Sequence, residues 1–497
     1  MKFNKPLKSK LQTAAIITKN PYILWGLIAL VAAAITVLTL NQLYIFLLAP
    51  IAIGYILLLI YHTEKTLLFS GALVPLSINY DDLPGGFGLT IPTEPLYILL
   101  FLGFVYYWLR NPIFNSNILK HPLSIIVLAY ILWYWLIIPF SSMPFVSFKF
   151  VFARTWYVVL FYFTALFVFR DFSKIHWFFT SFSITTLALV IYTLIKHSAD
   201  GFLRSSSYSV SWPFFPDHGQ YAAAIAFVVP ILLLYALAGR HFKIPVTLTP
   251  IILFFLTILL FGIVVSYTRA TWLSLLAMGG IYLVIRLRVK FTMILAALLL
   301  ALGYGIANQD EILYKLEANK QGSADDIEGH VKSVSNITTD PSNLERINRW
   351  KCAGRMVSEK PLFGFGPGTY VFQYGAFQKS DELTLISTFS GDLGDAHSEY
   401  FSAMSEAGFP GLLLFIAIVL GGIAYALKVI YHHPPGKIRY TAMIAILGLT
   451  TYYFHAFLNN YSQYDKIAVP FWLFTAVIAA LDIYGKDIAN SPDINQH

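Results

Sequence analysis

Asp395-Ala396-His397-Ser398-Glu399-Tyr400 closes one long hydrophilic stretch, residues 308–396, just before the chain turns apolar again. The residues on both sides of that stretch are apolar in long runs, and the stretch alone is polar enough to fold outside a membrane. The composition agrees. Of 497 residues, 57% are hydrophobic, 16% aromatic and only 12% charged, against roughly 25% charged in soluble domains. This defines an all-α, polytopic membrane bundle with one large, partly helical extramembrane loop. A histidine delivered by that loop to a membrane face suggests chemistry on a lipid-borne substrate.

A spanning helix needs about 20 mostly apolar residues. Candidate spans start near Tyr22, Gln42, Lys65, Glu94, Pro122, Lys149, Ile175, Gln220, Pro245, Ala270, Lys290, Phe409, Arg439 and Ile467. The expectation is therefore about 12–14 transmembrane helices. The chain divides into a tail (1–21), an N-terminal bundle (22–307), the large loop (308–396), C-terminal spans (397–485) and a second tail (486–497). The span from Lys65 is the weakest, being short and interrupted by Pro75. With the N-terminus inside, Arg110, Lys120, Arg170, Lys174, Arg240, Lys243, Arg286, Arg288, Lys290, Lys428, Lys437, Arg439 and Lys486 all fall inside, a positive-inside pattern. Connections 77–95, 141–147, 196–220, the turn at Arg269, the long loop and 459–466 then share the outer side. The net charge of +8 serves orientation, not nucleic-acid binding. One cysteine, Cys352, excludes an intramolecular disulfide and a cysteine-built metal site. Lysines from Lys2 to Lys19 precede an apolar run with no small-residue cleavage site, which reads as a retained helix.

The loop has internal structure. Its early part, with Asp325, Asp326 and Glu328, is acidic and reads as a mobile gate. Pro341-Ser342-Asn343-Leu344-Glu345 is a capping-box pattern that should start a helix. That helix would place Ile347, Trp350 and Val357 on one face and end at Lys360-Pro361. Gly364-Phe365-Gly366-Pro367-Gly368 reads as a tight turn. A second helix should start at Asp395 or Ala396.

Arg346, Trp350, Glu359-Lys360-Pro361-Leu362, the glycine turn, Ala396-His397-Ser398-Glu399-Tyr400, Glu406 and Gly408-Phe409-Pro410-Gly411 together resemble the bacterial O-antigen ligase and polymerase superfamily. Ser266-Tyr267-Thr268-Arg269-Ala270-Thr271-Trp272 is similar to that family's serine-x-x-arginine element. The ordered set covers about the second half of the chain. Asp217-His218-Gly219-Gln220 and Ser398 depart from the family pattern. The resemblance implies a metal-independent, cofactor-free glycosyltransferase of the bacterial inner membrane with its site facing the periplasm. Its donor would be an undecaprenyl-diphosphate-linked glycan. Its acceptor would be lipid A core in a ligase, or a second lipid-linked glycan in a polymerase.

The residue chemistry fits such a transfer. Charge grows on the diphosphate leaving group, and guanidinium forks stabilise such charge. Arg269, at a helix end near headgroup depth, and Arg346 on the loop helix are the first candidates. Arg349 and the intramembrane Arg154 are further ones. An arginine at that depth also serves as an interfacial anchor, and a charged helix face is commonly just solvated. His397 would orient or deprotonate the acceptor hydroxyl, because a first-turn position favours a neutral imidazole. Glu406 lies on the other side of that helix and reads as structural. Asp217, His218, Arg204 and Gly366 are candidate sugar or acceptor contacts. Asp217 equally suits a helix cap, and the glycines a plain turn.

Two rivals stand beside this reading. Asp81-Asp82 would anchor a metal-dependent sugar transferase, although Asp-Asp before Leu-Pro-Gly-Gly is also a good turn. A transporter or flippase would concentrate polar residues at mid-membrane in matched halves; here they collect at one face.

Overall fold

The computed structural model describes residues 49–83, 87–110, 116–308, 311, 341–384, 387 and 394–489. The expected span from Tyr22, the start of that from Gln42, the acidic segment, the first tail and residues 490–497 lie outside these. Two compact units are present, Met1–Thr66 and Leu67–His497, and the site belongs entirely to the second.

The helices follow the apolar runs. α1 is Ala49–Leu73, α2 Thr93–Arg110, α3 Pro122–Leu136, α4 Pro144–Val158, α5 Phe172–Ser198, α6 His218–Ala226 and α7 Val229–Ala238. Next come α8 (Thr249–Val264), α9 (Arg269–Arg286), α10 (Phe291–Ala307) and the loop helix α11 (Pro341–Glu359). Last are α12 (Glu399–His432), α13 (Lys437–Leu458) and α14 (Asp465–Ala489). Among the described residues, eight helices are long and apolar enough to cross a membrane, with shorter apolar stretches at Thr93–Val105 and Phe291–Gly305. The protein is a polytopic helical membrane protein. α1 breaks at His62, close to the expected start at Lys65, and stops before Pro75. The connection that follows contains an unforeseen hairpin, β1 (Ile78–Leu83) antiparallel to β2 (Phe87–Ile91).

The C-terminal helices form the centre. The apolar windows of α13 and α14 are 83% buried, against 22% for α8 at the periphery. α13 packs on α9, α12 and α14, and α3 and α11 both pack on α12.

Hydrogen bonds gather the six connections read as outward at one end. Ser77 and Thr93 both donate to Asp465. Ser142 N donates to the Phe365 carbonyl at 2.8 Å. Tyr461 donates to Asp217, Thr268 to the His218 carbonyl, and Arg346 to the Leu458 carbonyl. The opposite end holds a basic cluster in which Asp482 accepts from His121 at 3.2 Å and Lys428 at 2.9 Å.

Candidate active site

α11 starts at Pro341 and ends at Glu359, just before Lys360-Pro361, where the capping pattern and the proline place it. Its buried face is not the apolar stripe expected from Ile347, Trp350 and Val357. Glu345, Asn348, Arg349, Cys352, Ala353 and Met356 are buried, as is Val357, while Ile347 and Trp350 are only half-buried. Polar groups can occupy a core face when they satisfy one another. Glu345 does not reach back as a capping-box partner. It accepts from Arg349 Nε at 2.8 Å, Thr384 at 2.7 Å and Ser387 at 2.5 Å. Burial works to raise its pKa, but these bonds outweigh it and hold the carboxyl below its ordinary value. Cys352, Ala353 and Met356 pack with Phe365, Tyr370, Tyr374 and Ala396 into a small core belonging to the loop.

Arg349, a candidate diphosphate ligand by sequence, is built into that core. It is 5% exposed, ion-paired to Glu345, and donates from Nη1 to the Asp395 carbonyl at 2.9 Å. Its guanidinium also lies 5.3 Å over the Tyr374 ring. Arg349 therefore holds the backbone just ahead of His397.

His397 precedes the N-cap Ser398 of α12, whose first helical residue is Glu399. It is thus outside the first turn, contrary to expectation, and its φ of +47° is left-handed. Asp395 Oδ1 accepts the His397 backbone N–H at 2.8 Å. The ring Nδ1 lies 3.3 Å from the same oxygen. Burial first, then the Arg346 and Arg349 charges, push the His397 pKa down to about 3. The side chain is still 34% exposed, and water at that open edge screens part of the effect. The neutral imidazole required of a base is therefore supplied by burial among arginines rather than by a helix dipole. Burial likewise pushes the Asp395 carboxyl up, against bonding to His397 N–H and the two arginine charges. In the amide orientation that satisfies both ends, Asn460 donates to Asp395 at 2.6 and 3.0 Å and accepts from Ser402 at 3.1 Å.

Arg346 lies near enough to His397 for its charge to act on the imidazole. It is half-buried, donating to the Leu458 carbonyl at 3.3 Å and to Asn343 at 3.2 Å. Arg269 opens α9 at the same end of the bundle. Its N-cap neighbour Thr268 is tied to the His218 carbonyl at 3.2 Å. Asp217 caps α6, its Oδ1 accepting from Gly219 N at 2.7 Å and Gln220 N at 2.9 Å. The His218 ring sits 4.3 Å from Tyr208, which accepts from Arg204.

Gly366 is bonded into the fold as well. Its N–H donates to the Glu406 carbonyl, and Phe365 N donates to the Ser405 carbonyl. Glu406 accepts from Tyr370 N at 3.1 Å. The turn is therefore a structural wedge between the 141–147 connection and α12, and not an anion nest. Gly366 has φ +112°, and an added Cβ would collide with Ser141. Gly366→Ala is expected to lower thermal stability by about 1–3 kcal/mol or more, from strain and overpacking. Unchanged melting would contradict this packing.

Arg154 lies within the bundle and donates to Tyr130 at 2.6 Å and to Ser462 at 2.8 Å, 4.0 Å from Glu399. It lines an internal polar cavity with Glu399, Glu406, Asp395 and Asn460. The sequence reading missed Asp395, Glu399 and the run Asn459-Asn460-Tyr461-Ser462. A four-residue polar run between two apolar spans was the available signal. Among the described residues, no group of three or more His, Cys, Asp or Glu is placed to hold a metal ion. Asp81 and Asp82 side chains lie outside those described.

The fold defines a multi-pass helical membrane protein, and its connections bring His397, Arg346 and Arg269 to one end of the bundle. Residues 252–416 match the O-antigen ligase family model. That domain match supports the O-antigen ligase-related superfamily, and with it an O-antigen ligase-type membrane enzyme of polysaccharide biosynthesis. It runs from α8 into α12, and so takes in Arg269, Arg346, the glycine turn and His397. No curated protein matches the chain.

Proposed function

We propose that the protein transfers a glycan from an undecaprenyl-diphosphate carrier to an acceptor hydroxyl, by ligase-type chemistry, on the periplasmic side of the inner membrane. The observation that supports this is a His397 held by Asp395 and kept neutral by burial and the nearby Arg346 charge, at the end of the bundle where the connections meet. The acceptor oxygen bonds to the anomeric carbon as the bond to the lipid diphosphate breaks. His397 takes the hydroxyl proton, or orders that hydroxyl for attack. Arg346 and Arg269 stabilise the charge growing on the diphosphate, so the step requires no metal or cofactor. Lipid A core is the acceptor proposed, and a second lipid-linked glycan would make the enzyme a polymerase.

The test is incubation of purified protein with the lipid-linked oligosaccharide and EDTA, with products resolved by size. Transfer only after lipid A core is added supports ligation. A ladder of longer lipid-linked chains from the donor alone indicates polymerisation. Activity abolished by EDTA would favour the metal-dependent rival.

Arg269→Lys and Arg346→Lys should each slow turnover by about tenfold or more, because lysine lacks the planar fork and its second donor. Near-normal rates in both variants would remove the diphosphate assignment.

A further inference from the structure

Arg154 and Glu399 are 9% and 5% exposed inside the bundle. Burying charges in an apolar membrane core is costly unless their bonds are well satisfied. Here most of those bonds converge on one residue. Ser462 Oγ accepts from Arg154 Nη2 at 2.8 Å and donates to Glu399 Oε2 at 2.8 Å. Ser462 N donates to Glu399 Oε1 at 2.6 Å, and Tyr452 donates to the same oxygen at 2.6 Å.

Ser462 belongs to the connection between α13 and α14, and the residues just ahead of it tie that connection to neighbouring segments. Asn460 reaches Asp395 and Ser402, Tyr461 donates to Asp217 at 3.4 Å, and Asp395 in turn accepts the His397 N–H at 2.8 Å. Glu399 itself stands two residues after His397. One buried knot therefore pins both strands of chain that meet at Asp395, the residue that holds the His397 backbone.

We propose that Arg154 and Glu399 are a positioning pair, which through Ser462 sets Asn460 and so fixes the orientation of Asp395 and, through it, of His397. This rests on the reading of His397 as the group that handles the acceptor proton. It replaces the assignment of Arg154 to the diphosphate, since that guanidinium is engaged by Tyr130, Ser462 and Glu399. The two assignments differ in what a variant loses. A positioning pair changes kcat, whereas a donor ligand changes KM for the donor.

Glu399→Gln and Ser462→Ala, in the full chain reconstituted in lipid, separate them. Two readouts are taken. One is kcat and donor KM for transfer. The other needs no substrate: carbethoxylation of His397 by diethyl pyrocarbonate, read by mass spectrometry against pH. The charged groups facing His397 are Asp395, Arg346, Arg349 and Glu345, and all remain in both variants. Misplacement of a reacting group by about 1 Å costs roughly 10²-fold, so Glu399→Gln should lose about that much in kcat. Ser462→Ala, which keeps the ion pair, should lose about tenfold on the same scale. Donor KM should hold in both, and the His397 carbethoxylation midpoint should rise toward the ordinary histidine value. Wild-type kcat and midpoint in both variants would overturn the proposal, as would a raised donor KM with kcat kept. If Glu399→Gln melts far below the wild type, Ser462→Ala decides. If the wild-type protein transfers nothing, the function proposed above fails, while carbethoxylation still tests the positioning pair.

Discussion

His397→Asn is expected to cut transfer by about 10²–10⁴-fold, the usual contribution of a positioned acid or base. Asparagine suits this position because it tolerates the left-handed backbone that His397 adopts at φ +47°. Alanine there would add strain and blur the result. The amide can still hydrogen-bond near Asp395 but cannot take a proton from the acceptor. Melting should therefore stay close to that of the wild type while turnover collapses. Near-normal turnover would remove His397 from the chemistry. The pH dependence follows the same residue. Its folded pKa lies below its unfolded value of about 6.5, pushed down to about 3 by burial and the two arginines. Between those values the unfolded chain binds a proton that the folded one refuses, so stability falls as pH drops through this window. The imidazole nonetheless stays neutral below pH 6.5, so the acid limb of kcat/KM should lie well under the ordinary histidine range.

Arg349→Met is expected to destabilise the protein by about 3–5 kcal/mol, the usual cost of removing one partner from a buried ion pair. Glu345 would keep its bonds to Thr384 and Ser387 but lose its counter-charge. The Asp395 carbonyl would lose its donor, and Tyr374 the cation over its ring. Met approximates the aliphatic stem, so lost volume is a minor part of the effect. The wild type shows the same dependence on acidification. The Glu345 carboxyl is held below its ordinary value, so the stability it contributes is present above the unfolded glutamate pKa and fades as pH falls through the folded one. Thermal unfolding of the purified protein measures this. Melting equal to that of the wild type would mean that Arg349 is a solvated charge after all.

Much of this was readable from residue order. The apolar runs and the placement of basic residues gave a polytopic bundle and the set of connections that meet at one end. The bounds of α11 followed from its capping pattern and Lys360-Pro361. The roles of single side chains were harder to read, because they depend on partners distant in sequence. Arg346 and Arg349 sit one turn apart and look alike as text. Only folding shows that Glu345, Asp395 and Tyr374 surround Arg349, while Arg346 remains beside His397. Asp217 carried two equal readings until the N–H groups of Gly219 and Gln220 were seen to use its carboxylate. The start of α12 was misplaced because nothing local to Asp395 or Ala396 announces that a left-handed His397 delays the helix to Glu399. Ser462 could not be found from its own neighbours, since its partners lie on α4 and α12.

The direct measurement is product stoichiometry. Wild-type protein is supplied with undecaprenyl-diphosphate-linked glycan and lipid A core in EDTA, and both free undecaprenyl diphosphate and glycosylated acceptor are counted. The expected result is equal release of the two, absent in His397→Asn. Glycan carried across the membrane with the carrier bond intact, and no free undecaprenyl diphosphate, would contradict a transferase and leave a transporter.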